Sequence, residues 1–185
     1  IKKWDGPIAL KSRSEVINSL LLCLKEIEIN ILPNDLKLIF KKVHENFSLK
    51  AHEFIEPIHS SINLIQNLSK SKVKLALITS DTQLNAKNTL RILKLDTYFD
   101  IVIGGDNNLN KKSTGEPALY ICEKLNLDPK KVIAIGDAEM DFKMSSNAKL
   151  LNCILVATGQ TPLNKLKLIT NHSISDLSEL KIHSN

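Results

Sequence analysis

Short apolar runs alternate with helical stripes after Pro57, and this alternation limits the fold more than any other feature of the chain. Four apolar runs end in Gly, Thr or Asp and predict strands, and the first of them is typical of a strand buried on both faces of a parallel sheet. They are Val73–Thr79, Phe99–Gly105, Lys131–Asp137 and Cys153–Gly159. Strands that alternate with helices through short connections form right-handed βαβ units. The sequence therefore predicts an α/β protein with a parallel sheet flanked by helices.

Helical spacing of apolar residues fills the segments between these runs. It predicts helices at residues 58–68, 84–93, 117–127, 138–149 and 163–168, with a last edge element near Ser173–Ile174. The part before Glu56 shows helices and no convincing strand, with Ile27, Ile39 and Val43 among the apolar residues expected to face inward. We therefore expect a helical unit at 1–54 and an α/β unit at 55–185.

Composition excludes several classes of protein. Among 185 residues, 43% are hydrophobic and 24% charged, as in ordinary globular proteins. The net charge of +5 comes from scattered lysines, which favours a solvated surface over nucleic-acid binding. The three cysteines, Cys23, Cys122 and Cys153, show no C-x-x-C spacing and are interpreted as reduced core residues of a cytoplasmic protein. No apolar run is long enough for a membrane span, so we do not expect the membrane as a partner. The scattered charge likewise leads us to expect no nucleic acid as a partner.

Polar groups follow the first strand at Thr79 and Ser80. Ligands of open parallel sheets bind at the carboxyl ends of the strands. A hydroxyl group beside free backbone N–H groups at a helix N-terminus can bind a phosphate. The alternative is an ordinary N-cap of the following helix.

Two acids follow the third strand, Asp137 and Asp141 in the stretch GDAEMD. Their spacing places both carboxylates on one face of the helix start. Mg²⁺ prefers one or two carboxylates together with water and substrate oxygens. The alternative is a pair of acids that only complements the helix dipole.

A lysine pair precedes the helix between the second and third strands. A fixed ammonium of Lys112 could neutralise a phosphoryl group or a carboxylate nucleophile. Lys111 is the alternative in register, and exposure to solvent is the plain interpretation of either lysine.

The order of these groups resembles motifs two, three and four of the haloacid dehalogenase (HAD) superfamily, in particular its capped phosphoglycolate-phosphatase-like members. LALITSD resembles motif two, and the stretch from Lys111 to Asp141 resembles motifs three and four. Lys112 is followed by Ser113 where many relatives have Pro. The resemblance covers residues 55–180.

This resemblance implies a Rossmann-like core with a helical cap, formed here by residues 1–54. It implies Thr79 and Lys112 as catalytic residues, which bind phosphate together with Ser80. It implies Mg²⁺ as the cofactor, with Asp137 as a ligand and Asp141 as a ligand bound directly or through water. The expected reaction is hydrolysis of a small phosphorylated metabolite through an aspartyl-phosphate, with phosphoglycolate or a sugar phosphate as the substrate class. The oligomeric state is not predicted.

The family's motif one, a D-x-D that carries the nucleophile, does not occur in this sequence. In one interpretation Asp5 is the acid/base and Lys3 stands at the nucleophile's position, which would make the protein a catalytically inactive binding or regulatory module. In the other, which we favour, the segment WDGPIALKSRSEV (residues 4–16) belongs to the cap and motif one precedes Ile1. In both cases the strand of motif one, central in the family, is missing. We therefore expect an unpaired gap in the sheet, and a chain that by itself is unstable or inactive.

Overall fold

The structure, a computed structural model, describes residues 13–109 and 111–182. The chain divides into two compact units, Ile1–Glu56 and Pro57–Asn185. The predicted boundary, between residues 54 and 55, lies close to this division, and the role of the first unit as a cap stays a prediction. Among the described residues, no helix is both long and apolar enough to cross a bilayer.

The described part of the first unit consists of two helices, α1 (Arg13–Glu26) and α2 (Pro33–Phe54). Pro33 lies in the first turn of α2, where its missing N–H removes no helical hydrogen bond. Ile17 and Leu36 are buried. The expectation that Ile27, Ile39 and Val43 face inward was wrong, because all three are exposed. Ile27 lies beyond the end of α1, and two helices can cover only one face of each other.

The second unit alternates strands and helices as predicted. Its elements, in order, are α3 (His59–Lys70), β1 (Ala76–Ile78), α4 (Gln83–Ile92), β2 (Ile101–Ile103), α5 (Glu116–Lys124), β3 (Ile133–Gly136), α6 (Glu139–Asn147), β4 (Asn152–Val156), α7 (Leu163–Leu166) and β5 (Ser173–Ile174). Short 3₁₀ turns lie at Asp96–Tyr98, Lys112–Thr114, Pro129–Lys131 and Leu177–Glu179. The strands are shorter than the apolar runs that predicted them.

The strands form two parallel sheets. β1 pairs with β2 in one sheet, and the order of the other is β3–β4–β5. Ile78 of β1 and Ala134 of β3 pack against the same buried residues, Ala118, Met144 and Ala148. Among the described residues, β1 and β3 each lack a strand partner on one edge. The sheet is therefore interrupted between β1 and β3.

Helices cover both faces of the interrupted sheet. On one face α3 contacts both sheets, since Ile62 and Ile65 pack beside Val102 of β2 while Leu64 packs beside Val156 of β4. On the other face, α5 and α6 supply the residues that meet Ile78 and Ala134. The layers are helix, sheet and helix, which confirms the predicted α/β class.

The expectation that the run Val73–Thr79 is buried on both faces was wrong, since Val73 is 47% exposed and no residue of β1 is fully buried. Other strands differ from one another in burial. Leu155 of β4 is completely buried, and Ile103 of β2 nearly so. In β3, however, Ile133 and Ile135 are 50% and 42% exposed. Both lie on the face opposite Ala134, because side chains alternate along a strand. The strand beside the interruption is thus the one that keeps large apolar side chains open to solvent.

Leu155 and Leu166 form the most deeply buried part of the core, so the stability of the α/β unit should depend on them. Leu155→Ala should lower the free energy of unfolding by about 2–5 kcal/mol, because it removes buried apolar contacts and leaves a cavity. Leu168, which is 79% exposed, is the matched control, and Leu168→Ala should change it by less than about 0.5 kcal/mol. Urea unfolding measures both changes, and equal losses would contradict this packing.

Candidate active site

The carboxyl ends of β1 and β3 place the predicted site residues at one edge of the interrupted sheet. Thr79 and Ser80 follow β1 directly, and Asp137 follows β3 directly. Lys112 lies in the 3₁₀ turn that precedes α5. Asp141 lies in the first turn of α6. The structure therefore brings together side chains that are far apart in the sequence.

An ion pair between Lys112 and Asp141 forms the centre of the site. The Nζ atom of Lys112 lies 2.5 Å from Oδ1 of Asp141, and the two side chains are 22% and 6% exposed. Nζ also donates to the backbone carbonyl of Ile78, the last residue of β1, over 3.4 Å. The ammonium therefore bridges the end of β1 and the start of α6, next to Thr79.

The second oxygen of Asp141 caps α6. Oδ2 accepts hydrogen bonds from the backbone N–H groups of Asp137 and Ala138, each over 3.1 Å. Gly136 permits this close approach, since a Cβ there would lie 2.1 Å from Cγ of Asp141. The carboxylate thus fixes the backbone that carries Asp137. Both of its oxygens are engaged, which leaves little capacity to coordinate a metal directly.

Asp137 is half-buried and presents its carboxylate beside the loop that follows β4. Its Oδ2 atom accepts a hydrogen bond from the backbone N–H of Gln160 over 2.8 Å. Oδ1 accepts no hydrogen bond from the described residues. Asp137 is therefore the site carboxylate with an oxygen available for a cation.

Thr79 is held by the backbone around it. Its N–H donates to the carbonyl of Ile103 over 3.0 Å, and its Oγ1 accepts from the N–H of Asp81 over 3.1 Å. The hydroxyl proton is thereby left to point towards another acceptor, such as a phosphate oxygen. Ser80 is exposed beside it.

The expectation of free backbone N–H groups at the start of α4 was wrong in part. Asp106, from the loop after β2, accepts a hydrogen bond from the N–H of Gln83 over 2.7 Å. The N–H of Asn85 donates to Oγ1 of Thr82, the N-cap. Both donors are therefore satisfied within the chain. The local sequence pattern could not show this for Gln83, because its partner is a carboxylate from a neighbouring loop. Thr79 and Ser80 remain as the groups that a phosphate could contact.

The geometry distinguishes the two lysines. Lys112 is partly buried beside Asp141, whereas Lys111 is exposed. Lys3 and Asp5, the residues of the alternative interpretation of motif one, lie outside the described residues.

A buried thiol group also lies near the site. Cys153 of β4 is 3% exposed, and burial raises the pKa of its thiol to about 12, with the charge of nearby Asp141 adding to the effect. Cys153 therefore remains a neutral thiol at physiological pH. The predicted core position is confirmed for Cys122 and Cys153, which are buried, and was wrong for Cys23, which is exposed.

Among the described residues, no group of three or more His, Cys, Asp or Glu side chains could hold a metal ion. Mg²⁺ does not need such a group, since it keeps several waters and binds through one or two carboxylates and substrate phosphates. The available oxygen of Asp137 fits one ligand position of this kind.

Comparison with known proteins identifies the family. Residues 11–156, more than half of the chain, match the model of the haloacid dehalogenase-like hydrolases. The chain therefore belongs to the haloacid dehalogenase-like hydrolase family, which confirms the resemblance seen in the motifs.

Individual relatives agree with this assignment. The chain is 31% identical to a phosphorylated carbohydrates phosphatase of Thermotoga maritima, over 56% of this chain and 52% of the relative. It is 30% identical to a phosphoglycolate phosphatase of Aquifex aeolicus, over 60% and 57% respectively. The chain thus spans a little over half the length of these curated relatives.

Solved structures confirm the fold. A predicted phosphoglycolate phosphatase from Haemophilus somnus superposes with a TM-score of 0.81 at 17% identity, covering 95% of this chain and 77% of that one. A HAD hydrolase from Entamoeba histolytica superposes with a TM-score of 0.69 at 20% identity, covering 87% and 74%. These likenesses establish the fold and leave the activity to be argued from the site.

The ion pair between Lys112 and Asp141 should be coupled in free energy. Lys112→Met and Asp141→Asn should each lower the free energy of unfolding by about 3 kcal/mol, because each leaves a partner uncompensated in a largely buried position. The double variant should lose less than the sum by at least about 1 kcal/mol. The exposed pair of Glu139 and Lys143 provides the control, and Glu139→Gln should cost less than about 0.5 kcal/mol. Strictly additive single losses would show that the pair is not coupled.

Proposed function

We propose that this chain is the greater part of a Mg²⁺-dependent phosphohydrolase acting on a small phosphorylated metabolite through an aspartyl-phosphate. The observation that supports the proposal most strongly is the meeting of Thr79, Lys112 and Asp137 at one edge of the sheet. A hydroxyl donor, a fixed ammonium and a carboxylate with an available oxygen are the groups that a phosphoryl site needs.

Each residue has a distinct role in this proposal. The Thr79 hydroxyl and Ser80 bind phosphoryl oxygens, and the Lys112 ammonium neutralises the charge that develops on the phosphoryl group. Asp137 would hold Mg²⁺, which polarises a phosphoryl oxygen when bound. Asp141 acts as a positioning residue, since it holds Lys112 through one oxygen and the backbone of Asp137 through the other. We therefore favour an indirect role for Asp141 over direct coordination.

The nucleophile is proposed to lie on a strand that the described residues do not supply. The interruption between β1 and β3 supports this, because both strands keep an unpaired edge and Ile133 and Ile135 remain partly exposed beside it. A strand there would satisfy the backbone groups of both edges. Its carboxyl end would emerge between Thr79 and Asp137. An Asp at that end could attack phosphorus, release the alcohol of the substrate, and form an aspartyl-phosphate that water then hydrolyses.

The substrate class follows from the relatives by analogy. The relatives named above are a phosphatase of phosphorylated carbohydrates and a phosphoglycolate phosphatase. We propose a small phosphorylated carbohydrate or carboxylic acid as the substrate, chosen by the helical first unit acting as a cap. A cytoplasmic location is proposed on the ground that such metabolites occur there.

The second candidate function is a catalytically inactive binding or regulatory module of the same fold. The absence of a D-x-D from the 185 residues favours it. In that case the site would bind a phosphorylated ligand without turning it over.

A fusion distinguishes the two functions. A strand of five β-branched residues ending in Asp-x-Asp, joined ahead of Ile1, should give Mg²⁺-dependent hydrolysis of p-nitrophenyl phosphate, whereas the unextended chain should give none. Asp137→Asn and Lys112→Ala in the active fusion should each lower kcat/KM by about 10²-fold or more. Lys111→Ala, the matched control for the lysine, should retain activity within about threefold.

The Asn version of the first added Asp should be inactive, because an amide cannot form the acyl-phosphate. Turnover by the unextended chain would contradict the proposed origin of the nucleophile. A fusion that is folded, binds phosphate and remains inactive would favour the binding module. Loss of activity with Lys111→Ala and not with Lys112→Ala would overturn the assignment of the lysine.

A further inference from the structure

The loop between β4 and α7 touches the site through its backbone, although none of its side chains was predicted to take part. The N–H of Gln160 donates to Oδ2 of Asp137 over 2.8 Å. A hydrogen bond of this length from an N–H to a carboxylate is charge-assisted and directional. It fixes the rotation of the Asp137 carboxylate, and therefore the direction in which Oδ1 points.

Gly159 makes this contact possible because of the space around its Cα. A Cβ on Gly159 would lie 2.0 Å from Oδ2 and 2.5 Å from Cβ of Asp137. The backbone of Gly159 is not in the left-handed region, which among the described glycines is occupied by Gly115. Alanine would therefore meet no conformational penalty at residue 159, and the three atoms nearest to its methyl group would all belong to the Asp137 side chain.

The consequence of a methyl group at this position differs from an ordinary packing defect. The atoms in its way belong to a short side chain near the surface, and Gly159 itself is exposed. Rotation of Asp137 moves its Cγ and Oδ2 atoms out of the way but does not move its Cβ, so the backbone that carries Gly159 and Gln160 must also withdraw from Asp137. The carboxylate would then lose its hydrogen bond and its orientation together.

We infer that Gly159 is a positioning residue, whose bare Cα and neighbouring Gln160 N–H orient the Asp137 carboxylate so that Oδ1 faces the metal position. This inference rests on the proposed role of Asp137 as a Mg²⁺ ligand. It adds that the loop after β4 determines the affinity for the cation. Glycine is required there by space.

Mg²⁺ binding to the 185-residue chain tests the inference without catalysis. Calorimetric titration with MgCl₂ should show that Gly159→Ala raises the dissociation constant about tenfold or more, the cost of losing one charge-assisted interaction. Its thermal unfolding should remain cooperative, with the chain folded at the temperature of the titration. Thr158→Ala, a substitution in the same loop at a residue with no hydrogen bond to Asp137, is the matched control and should bind Mg²⁺ within about twofold of the wild type.

A second measurement covers the case in which Gly159→Ala perturbs folding. Mn²⁺ added to the wild-type chain should broaden the amide resonances of Gly159 and Gln160 as strongly as that of Asp137. Resonances of Gly159 and Gln160 that stay sharp while that of Asp137 broadens would overturn the inference.

The outcomes separate this inference from the proposed function. Wild-type chain that binds no Mg²⁺, or Asp137→Asn that binds it normally, would remove the metal assignment and the inference with it. Wild-type and Gly159→Ala chains that bind Mg²⁺ equally, while Asp137→Asn does not, would overturn the inference and leave the metal assignment standing. A Gly159→Ala chain that binds weakly only because it is unfolded would show a structural need for glycine and also overturn the inference.

Discussion

The ion pair between Lys112 and Asp141 is the interaction on which the rest of the site depends. Its two charges lie in a largely buried position, where a lone charge would be costly, so neither side chain can move without the other. Through Lys112 the pair contacts the carbonyl that ends β1, and through Asp141 it holds the backbone that carries Asp137. One interaction therefore positions the groups that follow β1 and the groups that follow β3. The sheet is interrupted between these two strands.

Helix packing on both faces also holds the two parts of the sheet together across the interruption. The helix α3 covers both sheets on one face, while α5 and α6 hold Ile78 and Ala134 together on the other. Side-chain packing and the ion pair thus hold the unpaired edges of β1 and β3 near each other. In a continuous sheet, hydrogen bonds between strands would do this. An edge of this kind is a natural place for another strand, and it lies where a phosphoryl acceptor would be needed.

The sequence predicted the order of the elements and the residues at the strand ends, because buried parallel strands and amphipathic helices leave strong periodic patterns. It did not predict that Asp106 would occupy the N-terminus of α4, that Asp141 would be engaged at both oxygens, or that Gln160 would hold Asp137 through a backbone N–H. Each of these contacts includes a backbone N–H donor, a group that nearly every residue carries. The sequence pattern therefore does not single out these donors. Gly159, which ends the apolar run Cys153–Gly159, was the available signal for the last of them. The exposure of Ile39 and Val43 was missed because helical spacing shows which face is apolar and does not show what covers it.

In our proposal Thr79, Lys112 and Asp137 form one binding site for phosphate and Mg²⁺. Nuclear magnetic resonance of the ¹⁵N-labelled chain, titrated with MgCl₂ and then with inorganic phosphate, shows whether they do. Mg²⁺ should shift the amide signals around Asp137 and Gln160, and phosphate should then shift those of Thr79 and Ser80. Shifts that instead concentrate elsewhere, for example along the groove at Asn63, Asn67 and Lys70 of α3, would contradict it.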